Sequence, residues 1–302
     1  MEINYPDLIE SLMQLLVMIV CALLTVRFLK KIRFTIVMGF FLYATICLII
    51  GNMYWILTTA LKVGVRIPYG INEVSSTGAW LLFASMFNKI FYKERPKRGF
   101  ETVQIAVISV ILIVLWTIWS GEWIESVASG VPLCYLMYII VLAMKKTGAF
   151  STLEKVCIIV STYTVLILQI ISLFLESELI MAVFEYTTYV ILFAVFVFLL
   201  VKGLRGLGRI RRDRDTSLEE IKKVLVVNFV SLIWILNTTY MCYEPVYFLA
   251  DFLYAVALLV VMFTCFELEK GRRAFLRQSL QRGGSEVWYI QKTFLSASLS
   301  RC

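Results

Sequence analysis

Apolar runs of about 18 or more residues recur along the whole chain, and this feature constrains the fold more than any other. Hydrophobic residues make up 60% of the 302 positions and charged residues 17%, whereas an average soluble domain is roughly 45–50% apolar. A soluble protein of this size could not bury so much apolar surface, so the excess must face lipid. We therefore predict an all-α fold, a polytopic transmembrane helix bundle of about nine spans. The predicted spans cover residues 11–29, 34–57, 74–91, 102–119, 123–144, 155–175, 179–201, 222–241 and 246–267.

The positions of the basic residues orient this bundle. Lys and Arg residues in short loops stay on the cytoplasmic side of a membrane. The chain has 29 Lys and Arg residues. All except Lys62 and Arg66 lie in the tail, or in or next to the connections that follow the first, third, fifth and seventh predicted spans. The pattern predicts an N-terminus outside the cell and a C-terminus in the cytoplasm. It also predicts that residues 74–91 cross the membrane, because otherwise the basic segment that follows them would lie outside.

The same pattern divides the chain into a membrane part and a tail. We predict one transmembrane helical domain over residues 1–271 and a polar cytoplasmic tail over residues 272–302. Within the domain, seven spans end at about residue 201, a basic cytoplasmic connection covers 202–221, and two further spans cover 222–267. The simplest role for the basic connection is a topology anchor on anionic lipid headgroups.

Two helix starts and one hinge can be predicted locally. The pairs Ser151 with Glu154 and Thr216 with Glu219 match the capping box, in which a hydroxyl and a carboxylate satisfy the first free amides of a helix. They predict the starts of the sixth and eighth spans.

Pro132 lies well inside the fifth predicted span, with Gly130 two residues before it. Proline lacks the amide that would bond the carbonyl four residues earlier, so it kinks a helix. Gly130 and Pro132 are therefore the candidate hinge.

Histidine is absent from the sequence. This absence excludes Ser–His–Asp and Cys–His nucleophiles, histidine metal sites and imidazole proton relays. The seven cysteines contain no CxxC pair and fall mostly inside apolar spans, where cysteine acts as a small hydrophobic side chain. We predict no catalytic residue, no resident metal and no cofactor, and enzyme activity is the least supported class of function.

The predicted outer surface is acidic. A negative surface concentrates cations near it, although the bias of basic residues toward the cytoplasm also leaves acids on this side. The acidic residues here are Glu2, Asp7, Glu10, Glu73, Glu122, Glu125, Glu176, Glu178 and Glu244.

Two acids lie deeper, about 8–9 Å below the outer helix ends. They are Glu185 and Asp251, and a charge placed in lipid costs on the order of 3 kcal/mol. We predict that they converge with tyrosines and amides of similar depth in a pocket for an amine or a metal ion. In the alternative arrangement the tyrosines form an interfacial belt and the acids snorkel or pair locally. The candidate ligand-binding residues are Glu185, Asp251, Tyr186, Tyr189, Tyr247, Tyr254, Asn52, Gln169 and Asn237.

These features favour a sensory or regulatory module of the cell membrane with an acidic outer pocket for a small or cationic ligand. The alternatives are a small-molecule or cation transporter and a membrane assembly or scaffold protein. Transport is disfavoured because broken helices need glycine and proline inside spans, and most of the 15 Gly and 5 Pro lie in loops. The expected partners are the lipid bilayer, anionic headgroups at the basic loops and a separate signalling protein. Nucleic acid is not an expected partner, because the net charge of +8 comes from the loops.

Overall fold

Helices are the only regular secondary structure in the described part of the chain. A computed structural model describes residues 5–32, 35–61, 70–91, 99–120, 123–175, 177–213, 216–239 and 246–282. Within these ranges there are nine α-helices, which confirms the all-α prediction. They are α1 (Tyr5–Ile32), α2 (Ile36–Ala60), α3 (Ile71–Phe91), α4 (Phe100–Ser120), α5 (Trp123–Thr147), α6 (Thr152–Ser172), α7 (Glu178–Arg212), α8 (Leu218–Thr239) and α9 (Val246–Arg282).

Seven of these helices are long and apolar enough to cross a membrane. The chain is therefore a multi-pass membrane protein with a helical bundle. The nine helices fall at the nine predicted positions, but α3 and α4 are not among the seven. The apolar part of α4 is the shorter segment Thr102–Ile118, and α3 carries Glu73 in its first turn and Lys89 in its last.

Consecutive helices run antiparallel because most of their connections are short. We call the end where α1 begins the acidic pole and the end where α1 finishes the basic pole. Contacts between helices agree with this alternation. Asn52, late in α2, donates a hydrogen bond to Gln14, early in α1. Lys202, late in α7, forms an ion pair with Glu154, early in α6, at 2.6 Å.

Helices α8 and α9 occupy the centre of the bundle. α8 packs against α5, α7 and α9, and α9 packs against α1, α2 and α7. In the apolar window of α8, 67% of the residues are buried, against 11% in α6. Phe229 of α8 meets Phe83 and Phe87 of α3 edge-on, with ring centroids 5.6 and 4.3 Å apart. Because α3 buries its apolar face against other helices, it does not need the uniform hydrophobicity of a lipid-facing span.

Glycine allows α7 to approach α8 closely at the basic pole. A Cβ atom at Gly203 would overlap Oδ1 of Asn228. The amide nitrogen of Asn228 donates to the hydroxyl of Thr264 on α9 at 2.8 Å, in a buried position. Small residues at helix contacts and hydrogen bonds between helices are the common means of packing membrane helices. This contact fixes α7, α8 and α9 to one another.

The capping box predicted at the start of α6 is confirmed. The amide of Glu154 donates to the Ser151 hydroxyl at 3.3 Å, and the amide of Ser151 donates to the Glu154 carboxylate at 2.7 Å. The same carboxylate binds Lys202. Glu154 therefore caps α6 and also ties it to α7.

The capping box predicted at the start of α8 is wrong by one residue. The hydroxyl of Ser217 accepts from the amide of Glu220 at 3.3 Å, in place of the predicted pair of Thr216 with Glu219. The hydroxyl of Thr216 donates instead to the carbonyl of Asp213 at 2.8 Å. The connection from α7 is so short that the hydroxyl of Thr216 bonds back to Asp213, the C-cap of the preceding helix.

Helices α7 and α9 extend well beyond the predicted spans. They contain 35 and 37 residues, or about 52 and 55 Å, against about 30 Å for the hydrocarbon core of a bilayer. The basic connection predicted over 202–221 is helical as far as Arg212, and the start of the predicted tail is helical as far as Arg282. Nε of Arg211 lies 3.7 Å from the carboxylate of Glu267, which links the extension of α7 to α9. The rest of the predicted tail lies outside the described residues.

Candidate functional site

At the acidic pole, a carboxyl group on α1 is in contact with a carboxyl group on α9. Asp251 lies half-buried five residues into α9, and its carboxyl group hydrogen-bonds with the side chains of Glu10 on α1 and Tyr247 on α9. Both acids lie about 8 Å below the starts of their helices. Two ionised carboxylates in contact repel each other unless a proton or another cation lies with them. A positive charge at this position is therefore expected to stabilise the contact between α1 and α9.

A second polar contact lies one helical turn further along α1. Gln14 is four residues after Glu10 and so shares its face of the helix. The oxygen of Gln14 accepts from the amide nitrogen of Asn52 on α2. The other polar atom of that side chain, Oδ1 of Asn52, is buried and has no hydrogen-bond partner in the part of the chain that the structure describes. We call Glu10, Gln14, Asn52, Tyr247 and Asp251 the acidic-pole cluster.

Tyr254 lies close to Asp251 on α9, whereas Glu185 forms its hydrogen bond within α7. Tyr254 follows Asp251 by three residues on α9 and is 3% exposed. Glu185 accepts a hydrogen bond from Tyr189, which lies on its own helix α7. Tyr186 packs edge-on against Tyr189, and its side chain is 67% exposed. The bond of Glu185 therefore stays within α7 and does not join this helix to α9.

The remaining two candidates lie on other helices. Gln169 is half-buried near the end of α6, where its backbone carbonyl accepts from Ser172. Asn237 lies on α8 and donates to the carbonyl of Ile233 at 2.8 Å. The structure thus brings together one part of the predicted set, Asn52, Tyr247, Tyr254 and Asp251, and distributes the other part over α6, α7 and α8.

Glu10 and Gln14 were missed from the sequence as site residues. The apolar pattern begins at residue 11, so Glu10 belonged to the acidic segment before the first span. The helix actually begins at Tyr5, which places Glu10 inside it. The spacing of four residues between Glu10 and Gln14 was the signal available in the sequence, because residues four apart share a helix face.

The hinge candidate lies at a close contact between α4 and α5. Helix α5 continues through Pro132. A Cβ atom at Gly130 would lie 2.7 Å from Cγ1 of Ile113 on α4. The glycine therefore has a packing role, and the hinge stays a prediction.

Comparisons with protein families, with characterised proteins and with solved structures find no match for this chain.

Proposed function

We propose that the protein is a sensory or regulatory membrane module that binds a small organic cation at its acidic pole. The observation that carries this proposal is the contact between Glu10 and Asp251 across α1 and α9. A cation bound there removes the repulsion between the two carboxylates, so binding strengthens the contact between the two helices.

An organic ammonium ion fits the groups of the acidic-pole cluster. Its N–H groups donate to carboxylates in charge-assisted hydrogen bonds, and the ring of Tyr247 offers an electron-rich face to a cation. Oδ1 of Asn52 is a further acceptor that needs a donor. No group of three or more His, Cys, Asp or Glu side chains that could hold a metal is found among the described residues. The proposal therefore names an amine as the ligand class.

The proposal includes an orientation in the cell membrane. With all nine helices crossing, the acidic pole faces outward and the basic pole faces the cytoplasm. The positions of the basic residues support this orientation. The cluster then opens toward extracellular cations.

The length of α9 supports signalling from this site. The helix starts at the acidic pole and continues to Arg282 beyond the basic pole. Helix α1 lies at the edge of the bundle, since 17% of its apolar window is buried. A ligand that joins α1 to α9 changes the position of a helix that reaches the opposite side. A separate signalling protein binds at the basic pole and responds to that change in the position of α9.

The test is ligand-dependent thermal stability of the full chain in nanodiscs of zwitterionic lipid. Methylammonium and ethylammonium chlorides are the probes, with sodium chloride at equal ionic strength as the salt control. Either probe is expected to raise the unfolding temperature of the wild type in a saturable way, because a ligand that binds the folded state stabilises it. Asp251→Asn and Glu10→Gln are each expected to abolish this rise.

Glu178→Gln is the matched control, since Glu178 is an exposed acid at the same pole. It is expected to keep the full response. An equal rise in the wild type and in both cluster variants would contradict the proposal. Uptake of the same cations into liposomes containing the protein would assign transport instead.

A further inference from the structure

A second site lies in the other half of the bundle, away from the acidic-pole cluster. Helices α4, α5, α6, α7 and α8 surround a cavity of about 280 Å³ whose wall is mostly aliphatic side chains. Its lining on α6 runs from Lys155 to Leu166, a rise of about 16 Å. We propose that this cavity binds a single-chain anionic amphiphile from the membrane leaflet at the basic pole, such as a fatty acid.

The end of the cavity at the basic pole is cationic. Lys145, from the end of α5, and Lys155, from the start of α6, both line it. The neighbouring carboxylate of Glu154 is held by Lys202 at 2.6 Å and by the amide of Ser151. Lys155 is half-buried and forms no ion pair with any residue that the structure describes. This end of the cavity therefore offers positive charge to an anionic head group.

The wall between the two ends is mostly apolar. Ile105 and Ile108 on α4 and Ile158 and Ile159 on α6 line the cavity. α4 touches α6 at few positions. A molecule dissolved in the lipid can therefore enter the cavity between these two helices. An apolar wall with a charged rim complements an alkyl chain with one ionised group.

Helix α8 lines the far end of the cavity. The indole nitrogen of Trp234 donates to the carbonyl of Leu192 on α7 at 2.8 Å, which fixes the ring between the two helices. Asn237 also lines this end, and its Oδ1 is buried without a hydrogen-bond partner among the described residues. The cavity volume lies just below the range for small-molecule sites, roughly 300–1,000 Å³. It therefore suits one chain and not a two-chain lipid.

Bromine quenching of tryptophan fluorescence tests this site. The full chain in phosphatidylcholine nanodiscs is titrated with dodecanoate that carries bromine at its last carbon. With the carboxylate at Lys155, the bromine lies near Trp234, so saturable quenching is expected. Trp234→Phe is expected to remove the saturable part, and Lys155→Gln to weaken the apparent affinity about tenfold, as for loss of one charge-assisted hydrogen bond. The exposed Lys146, which does not line the cavity, supplies the control Lys146→Gln, and that variant is expected to bind as the wild type does.

Two further titrations separate the ligand classes. The methyl ester of the same brominated acid keeps the chain and lacks the charge, so it is expected to bind at least tenfold more weakly. Inorganic phosphate is expected not to displace the brominated acid. Equal binding of ester and acid, unchanged affinity in Lys155→Gln, equal quenching in Trp234→Phe, or displacement by phosphate would each overturn the proposal.

Discussion

At the scale of single residues, the bundle depends on close polar contacts where helices meet. Asn228 lies against Gly203 of α7 and donates to Thr264 of α9. Its side chain has little freedom, because a buried hydrogen bond holds it on one side and a backbone on the other. Polar bonds inside a membrane protein contribute about 0.6 kcal/mol on average, and close packing adds to them.

Gly203→Ala is expected to destabilise the protein. The new methyl group would displace the Asn228 side chain and break its bond to Thr264, at a cost of about 1–3 kcal/mol, the usual range for overpacking. The measurement is the unfolding temperature in detergent. Gly208→Ala is the matched control on the same helix, where, apart from the adjacent turns of α7, no described residue lies within 4 Å of the added Cβ. Alanine there is expected to stabilise α7 slightly, because it favours helix more than glycine does. Equal stability of the two variants would contradict the described packing.

Residue-scale prediction from the sequence found one acid of the cluster and missed the other. Asp251 stood out because it interrupts an apolar run. Its partner Glu10 did not stand out, because the first turn of α1 is polar and the apolar pattern does not indicate where that helix starts. A contact between residues so far apart in the chain depends on the order of the helices in the bundle, which a hydropathy pattern does not contain.

At the scale of elements, apolar runs located all nine helices but not their ends. Lipid explains the apolar centre of each helix, whereas the ends depend on local bonds. The box at Ser151 was visible because both of its partners lie in one short motif. The extension of α7 to Arg212 was not visible, because contacts with α8 and α9 sustain it and its composition resembles that of a basic loop.

Ser151→Ala is expected to destabilise α6 by about 1 kcal/mol, because it removes the hydroxyl that accepts from the amide of Glu154. Urea or thermal unfolding followed by circular dichroism measures the change. Thr152→Ala is the control, since Thr152 is exposed and begins the helix next to the cap. A loss in Thr152→Ala as large as that in Ser151→Ala would show that the cap does not stabilise this end of α6.

At the scale of the whole molecule, the two proposed ligand sites belong to different groups of helices. The acidic-pole cluster joins α1, α2 and α9, and the amphiphile cavity lies among α4–α8. Helices α8 and α9 pack against each other between them. The sequence predicted the class of fold and the two charged poles, since both follow from composition along the chain. It could not predict this division, because adjacency between distant helices follows from side-chain packing.

The central claim is a membrane bundle whose acidic pole faces out and whose basic pole faces the cytoplasm. The most direct test places single cysteines at Glu178 and at Lys146, one at each pole, in a chain whose seven native cysteines are replaced. Intact cells are then treated with a membrane-impermeant thiol reagent. Labelling is expected at position 178 in intact cells, and at position 146 only after the membrane is opened. Labelling of position 146 in intact cells, with position 178 protected, would contradict the claim.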